Sequence, residues 1–370
     1  MRDFKAIGLM SGSSLDGIDI AYVNFSHDNK RWFFQIVEAG NVPYPTYWKE
    51  QLSESFNKNE EELKSLDKEY GEYLGTVTKR FIKKYELEPK LIASHGHTIF
   101  HKPNEGYTLQ IGDGQSIADI TGIMTINDFR TEDVTKGGQG APLVPIGDRH
   151  LFAAYPICLN IGGIANVSYE HDGKRVAYDI CMANQLLNYL AGKLGYDYDN
   201  NGNFARQGVV NEELLNILND NPYYRQEAPK SLGREFFEDV QHKIIDESNL
   251  SAKDLLATAT EHIAIQIAKS INEMETSKML VTGGGAKNNF LMERIAVLSR
   301  HEVVIPDTMI IDYKEALIFA FLGVLKMEGK INVLSSVTGA SSDSSSGKIN
   351  IPKSSKIIFK KESLSYKQKK

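Results

Sequence analysis

The sequence is poor in cysteine: Cys158 and Cys181 are the whole complement of a 370-residue chain. Two thiols so placed do not make a disulfide framework. A basic surplus is missing as well. The formal net charge is -6, so the global balance leaves no footprint for nucleic acid. No apolar run is long enough to span a membrane. The opening Met1-Arg2-Asp3-Phe4-Lys5 runs straight into a strand, without the pattern of a signal peptide. No membrane association is expected, and a reducing cytoplasm is the simplest setting. There is no Walker loop, since the spacing G-x-x-x-x-G-K-[ST] does not occur. A zinc set is missing too. His95, His97 and His101 lie close together, but His95 and His97 alternate in an extended segment and no nearby Cys or acidic side chain completes a tetrahedron.

What remains is ordinary for a globular chain, with 41% hydrophobic and 24% charged residues. The length exceeds what one core usually holds, so two domains are expected. We place them at 1–150 and 151–334, with the closing segment from about 335 to 370 packing back on the first.

The most informative stretch is Ile7-Gly8-Leu9-Met10-Ser11-Gly12-Ser13-Ser14-Leu15-Asp16-Gly17-Ile18-Asp19-Ile20. It reads as strand, tight turn, strand. Its glycines permit close backbone approach, and successive turn N–H groups form an anion-binding nest. Asp16 and Asp19 would repel a phosphate unless Mg²⁺ sat between them. The loop is therefore either a phosphate-and-metal turn or a ligand-free hairpin. Pro156 to Tyr169 repeats the layout around Asn160, Gly162 and Gly163, which suggests duplicated architecture without residue-by-residue repetition.

Along the rest of the chain, Tyr47 to Tyr85 reads as two helices broken around Asn57-Lys58-Asn59. Leu91 to Ser94 is a short buried strand that runs into His95 and His97, either hydrogen-bonding residues for a polar ligand or buried structural ones. Arg130 and Asp133 precede the glycine-dense Gly137 to Pro145, and Arg suits two-point recognition of a carboxylate. Asp179 ends a strand before a helix from Ala183, as an N-cap or as a carboxylate facing a cleft. Gly283, Gly284 and Gly285 join a buried strand to a helix start; the junction is a tight turn or a seat for a flat ligand. Glu315 stands near the start of an apolar helix, favoured there by the macrodipole or held for a purpose. The Lys- and Ser-rich end, 353–370, reads as a solvated tail.

These segments, in this order, resemble the signature motifs of the anhydro-N-acetylmuramic acid kinases, from about Ile7 to Ala340. The matching stretches are Leu9 to Asp19, His95-Gly96-His97-Thr98, Asn127 to Arg130, Gly137 to Leu143, Asp179 with Asn184, Asp199 to Gly208, Pro229 to Glu235 and Ser335 to Ala340. The departures are Ser13 where Thr is commoner, His97 in place of Gln, and Ile180-Cys181-Met182-Ala183 in place of Thr-Gly-Pro-Gly. The resemblance implies an α/β, two-domain actin-like ATPase (ribonuclease-H-like) fold with an interdomain nucleotide and substrate cleft. It implies ATP and Mg²⁺, with the nucleotide on Gly12, Ser13, Ser14, Leu15, Asp16, Gly17, Ile18, Asp19, Asn160, Gly162, Gly163, Gly283, Gly284 and Gly285, and the metal on Asp16. Asp179 is implied as general base and Glu315 as its catalytic companion. The amino sugar is expected against Ser11, His95, His97, Arg130 and Asp133, with Arg130 meeting its lactyl carboxylate. A homodimer is the family's suggestion.

The implied reaction is ATP-dependent opening and phosphorylation of 1,6-anhydro-N-acetylmuramic acid in peptidoglycan recycling. A second reading is a sugar-sensing actin-like ATPase or binding protein with weak or no turnover, which the changed residues 180–183 and His97 would favour. A kinase for a related anhydro sugar without the lactyl group is a third, and Arg130 argues against it.

Overall fold

The structure, a computed structural model, describes residues 2–12, 15–28 and 31–353. The tail expected at 353–370 falls outside them from 354 onward. The described residues divide into two compact units: those up to Leu151 together with those from Tyr313, and Phe152–Asp312. The sequence expectation set the return near 335. This division sets it at Tyr313, because the helix that follows packs on the first sheet.

The first unit is built on one six-stranded sheet. Its order is Trp32–Pro43, Gly17–His27, Arg2–Ser11, Leu91–Ser94, Thr125–Asn127 and Lys348–Asn350. Arg2–Ser11 runs parallel to Leu91–Ser94, which runs parallel to Thr125–Asn127; Gly17–His27 is antiparallel to both its neighbours. The closing strand Lys348–Asn350 adds antiparallel to Thr125–Asn127. It escapes a sequence reading because it is three residues long and follows a serine-rich stretch.

One face of this sheet takes the helix Glu60–Lys84. Asn59 and Glu62 close a capping box at its start, with acidic residues in the first turn and Lys83 and Lys84 in the last. Leu66, Tyr70, Leu74, Val77 and Phe81 recur at helical spacing and are buried with Ile7, Leu9, Ile18, Ile20 and Ile92 of the strands. The break expected around 57–59 is found: Thr46–Ser53 is a helix, Ser55–Asn57 a single 3₁₀ turn. The helix Thr308–Met327 also packs on this sheet, and non-helical angles at Tyr313 interrupt it. Gly8 is the contact point. A Cβ there would lie 1.8 Å from the carbonyl oxygen of Ala316, so only a bare Cα lets the helix approach.

The second unit carries a five-stranded sheet in the order Lys174–Met182, Ile164–His171, Ile157–Ile161, Lys278–Thr282, Glu302–Val304. Its first three strands are antiparallel neighbours and its last three are parallel. Counted by chain order within each sheet, both therefore run third, second, first, fourth, fifth, with the second strand reversed, and the first sheet adds Lys348–Asn350 as its sixth. This is the ribonuclease-H-like order, present twice in one chain, as the duplicated hairpins implied. The helix Ala252–Ile271, capped by Ser251, buries Leu256, Ile263, Ala264 and Ile267 against this sheet.

Candidate active site

Parallel strands deliver their following residues to one sheet edge, where α/β units hold ligands. In the first unit that edge collects Ser11, His95 and His97, and Arg130. His95 N–H donates to the carbonyl of Leu9 at 3.0 Å, which locks one strand end to the next. Ser11 Oγ lies 2.9 Å from Nδ1 of His97 and 2.6 Å from the hydroxyl of Tyr44. Burial pushes the pKa of His97 down to about 4, so the ring is neutral at physiological pH. Tyr44, which the sequence reading missed, is itself buried and its phenol is pushed up to about 12 by desolvation.

Arg130 donates Nε–H and an Nη2–H to Nε2 of His95 at 3.1 and 2.9 Å, and an Nη1–H to the carbonyl of Gly140 at 2.7 Å. A guanidinium has five N–H groups. Among the described residues two are left over, one on each Nη. Asp133 differs from the expected sugar contact. It is fully buried, its Oδ2 accepts from Gly140 N–H at 2.8 Å, and its Oδ1 accepts from Thr338 Oγ1 at 2.7 Å. Its two oxygens hold the glycine-dense loop from inside.

The helical run that carries Glu315 restarts after the break at Tyr313, so Glu315 stands in its first turn, near a helix start as expected. Solvent reaches this carboxylate, yet the protein crowded around it raises its pKa, against the pull of Arg130 and Lys314. Lys314 beside it forms a buried ion pair with Asp148 at 2.7 Å.

The first hairpin turn is described at Gly12, Leu15, Asp16 and Gly17; Ser13 and Ser14 lie outside the described residues. Ser11 pairs with Ile18 and Met10 with Asp19 across its mouth. Leu15 adopts φ 56°, a conformation that costs a branched side chain energy and often marks a working turn. A Cβ on Gly17 would strike the carbonyl of Val42 at 2.5 Å. Asp16 is exposed, and Asp19 accepts from Asn41 Nδ2 at 2.8 Å.

The second unit brings its candidates together too. Thr282 pairs with Asn160 across parallel strands, which sets Gly283, Gly284 and Gly285 beside the second hairpin. Gly283 has φ 82°, and a Cβ there would meet Ile161 O at 2.7 Å. Ala183, Asn184 and Gln185, at the start of the helix Asn184–Gly192, donate their N–H groups to the carbonyls of Gly162 and Gly163. The helix start thereby fixes the turn. Gly162, Gly163 and Gly284 have nothing closer than 3.6 Å to a built Cβ, so their bare backbone is open to a ligand.

Asp179 is not an N-cap; it lies within the strand Lys174–Met182, whose register shifts between Asp179 and Cys181. Such a bulge re-aims a side chain. Ile180, Cys181, Met182 and Ala183 are all buried, so the residues that replace Thr-Gly-Pro-Gly serve the core. Leu232 N–H donates to Asp179 Oδ2 at 2.9 Å, and Tyr223 donates its hydroxyl to the Asp179 carbonyl at 2.6 Å. Asp179 N–H donates to Lys230 O. The segment Pro229 to Glu235, to which the sequence reading gave no chemistry, thus holds this carboxylate. Desolvation raises the Asp179 pKa, with the Leu232 N–H opposing.

Among the described residues no cluster of three or more His, Cys, Asp or Glu side chains could hold a metal, and no helix is long and apolar enough to cross a membrane. Mg²⁺ at a nucleotide takes only one or two carboxylates beside phosphates and water, a demand that Asp16 fits.

Residues 4–352 match the anhydro-N-acetylmuramic acid kinase family. The chain is 38% identical over 364 residues to an anhydro-N-acetylmuramic acid kinase of Pasteurella multocida, covering 93% of this chain and 96% of that one. It is 37% identical over 355 residues to one of Vibrio parahaemolyticus, covering 90% and 95%. Among solved structures, a ROK family glucokinase from Streptomyces griseus aligns at TM-score 0.40 with 10% identity, over 86% of this chain and 99% of that one; a likeness of that size adds nothing to the assignment, which rests on the sequence matches. The chain belongs to the anhydro-N-acetylmuramic acid kinase family.

Proposed function

We propose that this protein opens 1,6-anhydro-N-acetylmuramic acid with water and phosphorylates the freed oxygen from ATP, giving N-acetylmuramic acid 6-phosphate in cytoplasmic peptidoglycan recycling. The observation that carries this reading is Asp179. One of its oxygens is held by a backbone N–H, the other has no partner among the described residues, and its pKa is raised. That is a carboxylate whose basicity burial has raised, as a general base requires.

Asp179 removes a proton from water as its oxygen bonds to the anomeric carbon. The bond from that carbon to the bridging oxygen breaks, and the bridging oxygen bonds to the γ-phosphorus as ADP leaves. Glu315 orients the sugar. Arg130 offers its two remaining N–H groups to the lactyl carboxylate, the two-point geometry that a guanidinium suits. His97 and Ser11 hydrogen-bond the sugar, while Asp133 shapes the loop beneath Arg130. The backbone at Gly12 to Asp19 and at Asn160, Gly162 and Gly163 cradles phosphates, and Gly283 to Gly285 seats the adenosine. Bound Mg²⁺, with Asp16 as its protein ligand, supplies neutralisation of phosphate charge.

Asp179→Asn tests the role of the base. Turnover is expected to fall by about a hundredfold to ten-thousandfold with ATP binding, followed by calorimetric titration, nearly intact; loss of ATP binding would contradict the role.

A further inference from the structure

The closing segment Ser335 to Ala340 carries no chemistry in the reading above. Its buried Thr338 nevertheless belongs to an unbroken hydrogen-bond chain that ends on Arg130. Thr338 Oγ1 donates to Asp133 Oδ1 at 2.7 Å, across 205 residues of sequence. Asp133 Oδ2 accepts from Gly140 N–H at 2.8 Å. The carbonyl of that same Gly140 accepts from Arg130 Nη1 at 2.7 Å.

Thr338 Oγ1 also lies 3.3 Å from Leu334 O, but its single proton goes to the nearer, charged oxygen. A Cβ on Gly138 would lie 2.2 Å from Asp133 Oδ2, so the carboxylate fills the inside of the loop. Gln139 N–H donates to Thr338 O at 2.8 Å and Ser341 N–H to Lys136 O at 3.0 Å. The loop of 137–140 has no helix or strand of its own. Its shape is set by what it is tied to.

We infer that Thr338 is a positioning residue for recognition of the substrate's carboxylate: its hydroxyl fixes Asp133, Asp133 fixes the Gly140 peptide, and the Gly140 carbonyl sets the rotation of the Arg130 guanidinium. This rests on the reading that Arg130 meets the lactyl carboxylate. Two-point recognition depends on the angle of the planar fork, so a loosened Gly140 carbonyl weakens carboxylate recognition more than it weakens sugar binding in general.

The test compares kcat/KM for 1,6-anhydro-N-acetylmuramic acid with kcat/KM for the same sugar bearing a lactyl amide. Wild type, Thr338→Val, Thr338→Ser and Arg130→Ala are measured. Thr338→Val is expected to lower the acid-to-amide ratio about threefold to tenfold, the net size of one ordinary hydrogen bond, and Thr338→Ser to restore it. A merely structural role would depress both substrates alike and leave the ratio unchanged. An unchanged ratio in Thr338→Val, with a collapsed ratio in Arg130→Ala, would overturn the role of Thr338 and leave that of Arg130 standing. An unchanged ratio in Arg130→Ala would overturn both. Should Thr338→Val be recovered only in insoluble form, Thr338→Ala removes the same hydroxyl without setting a methyl against the carboxylate, and is read in the same way.

Discussion

Arg130 directs two of its N–H groups at one atom, Nε2 of His95, at 3.1 and 2.9 Å. An imidazole nitrogen accepts hydrogen bonds only when it carries no proton. Burial first, and then the charge of Arg130, hold the His95 pKa well below its ordinary value. The ring is neutral and serves as an acceptor, packed 4.7 Å from Phe319. One side of the guanidinium is thereby occupied.

His95→Phe keeps an aromatic ring against Phe319 and deletes the acceptor. Two N–H groups of Arg130 then lack a partner, at about 1–3 kcal/mol for such a loss. The dissociation constant for the sugar is expected to rise about tenfold or more, with that for ATP unchanged. Calorimetric titration with each ligand checks this; unaltered sugar affinity would remove His95 from the account.

The raised pKa of Asp179 sets a sign for activity and for stability. A base works only when ionised, so kcat/KM falls as pH drops through that pKa, at higher pH than for an ordinary aspartate. A raised carboxyl favours folding below the unfolded value of 3.8, and that contribution is lost as pH rises through the folded value. The ionised group therefore costs stability at neutral pH. Asp179→Asn should lower kcat by about a hundredfold to ten-thousandfold and raise Tm at pH 7. A lowered Tm would mean that Asp179 holds the fold together.

His97 works in the opposite direction. Its folded pKa of about 4 lies below the unfolded 6.5, so the unfolded chain binds the proton first as pH falls. Stability from the buried neutral ring is complete above 6.5, declines below it and is lost by about pH 4. Between pH 7 and pH 5 the loss from this one group is about 2 kcal/mol. Urea denaturation at the two pH values, with His97→Gln as the control, tests it: the substituted protein should lose less stability over that interval. Equal losses would show that other groups carry the acid sensitivity.

Gly8→Ala sets a Cβ 1.8 Å from Ala316 O and 2.8 Å from Ala320 N. Backbone on both sides leaves no flexible group to yield, so the helix that carries Glu315 must move. The expected loss is about 3 kcal/mol or more, with a fall in kcat and little change in ATP affinity. Urea midpoints and steady-state kinetics measure both; a stability close to wild type would contradict the packing argument.

Local patterns carried the sequence reading a long way. Both hairpins, the helix broken after Asn57 and the glycine junction after Thr282 are each built from neighbours in the chain, and periodicity exposes such elements. The repeated strand order follows from two strand–turn–strand openings. What stayed hidden lies in long-range partners. Nothing near Asp133 announces Thr338, and nothing near Asp179 announces Leu232 or Tyr223. Lys314 gives no local sign that Asp148 neutralises it. The start of the apolar run placed Glu315 correctly in the first turn after the break at Tyr313, but the preceding helical turns from Thr308 were not foreseen. The apolar replacements after Asp179 signalled an altered enzyme from sequence; in the structure they are core residues beside a bulge.

The central claim is that water opens the anhydro bridge and the freed oxygen takes the phosphoryl group in one turnover. Mass spectrometry of a reaction with ATP, Mg²⁺ and 1,6-anhydro-N-acetylmuramic acid in ¹⁸O-labelled water tests it most directly. The account predicts a product bearing both one phosphate and one heavy oxygen at the anomeric carbon. ADP alongside unchanged sugar, or no product at all, would contradict it.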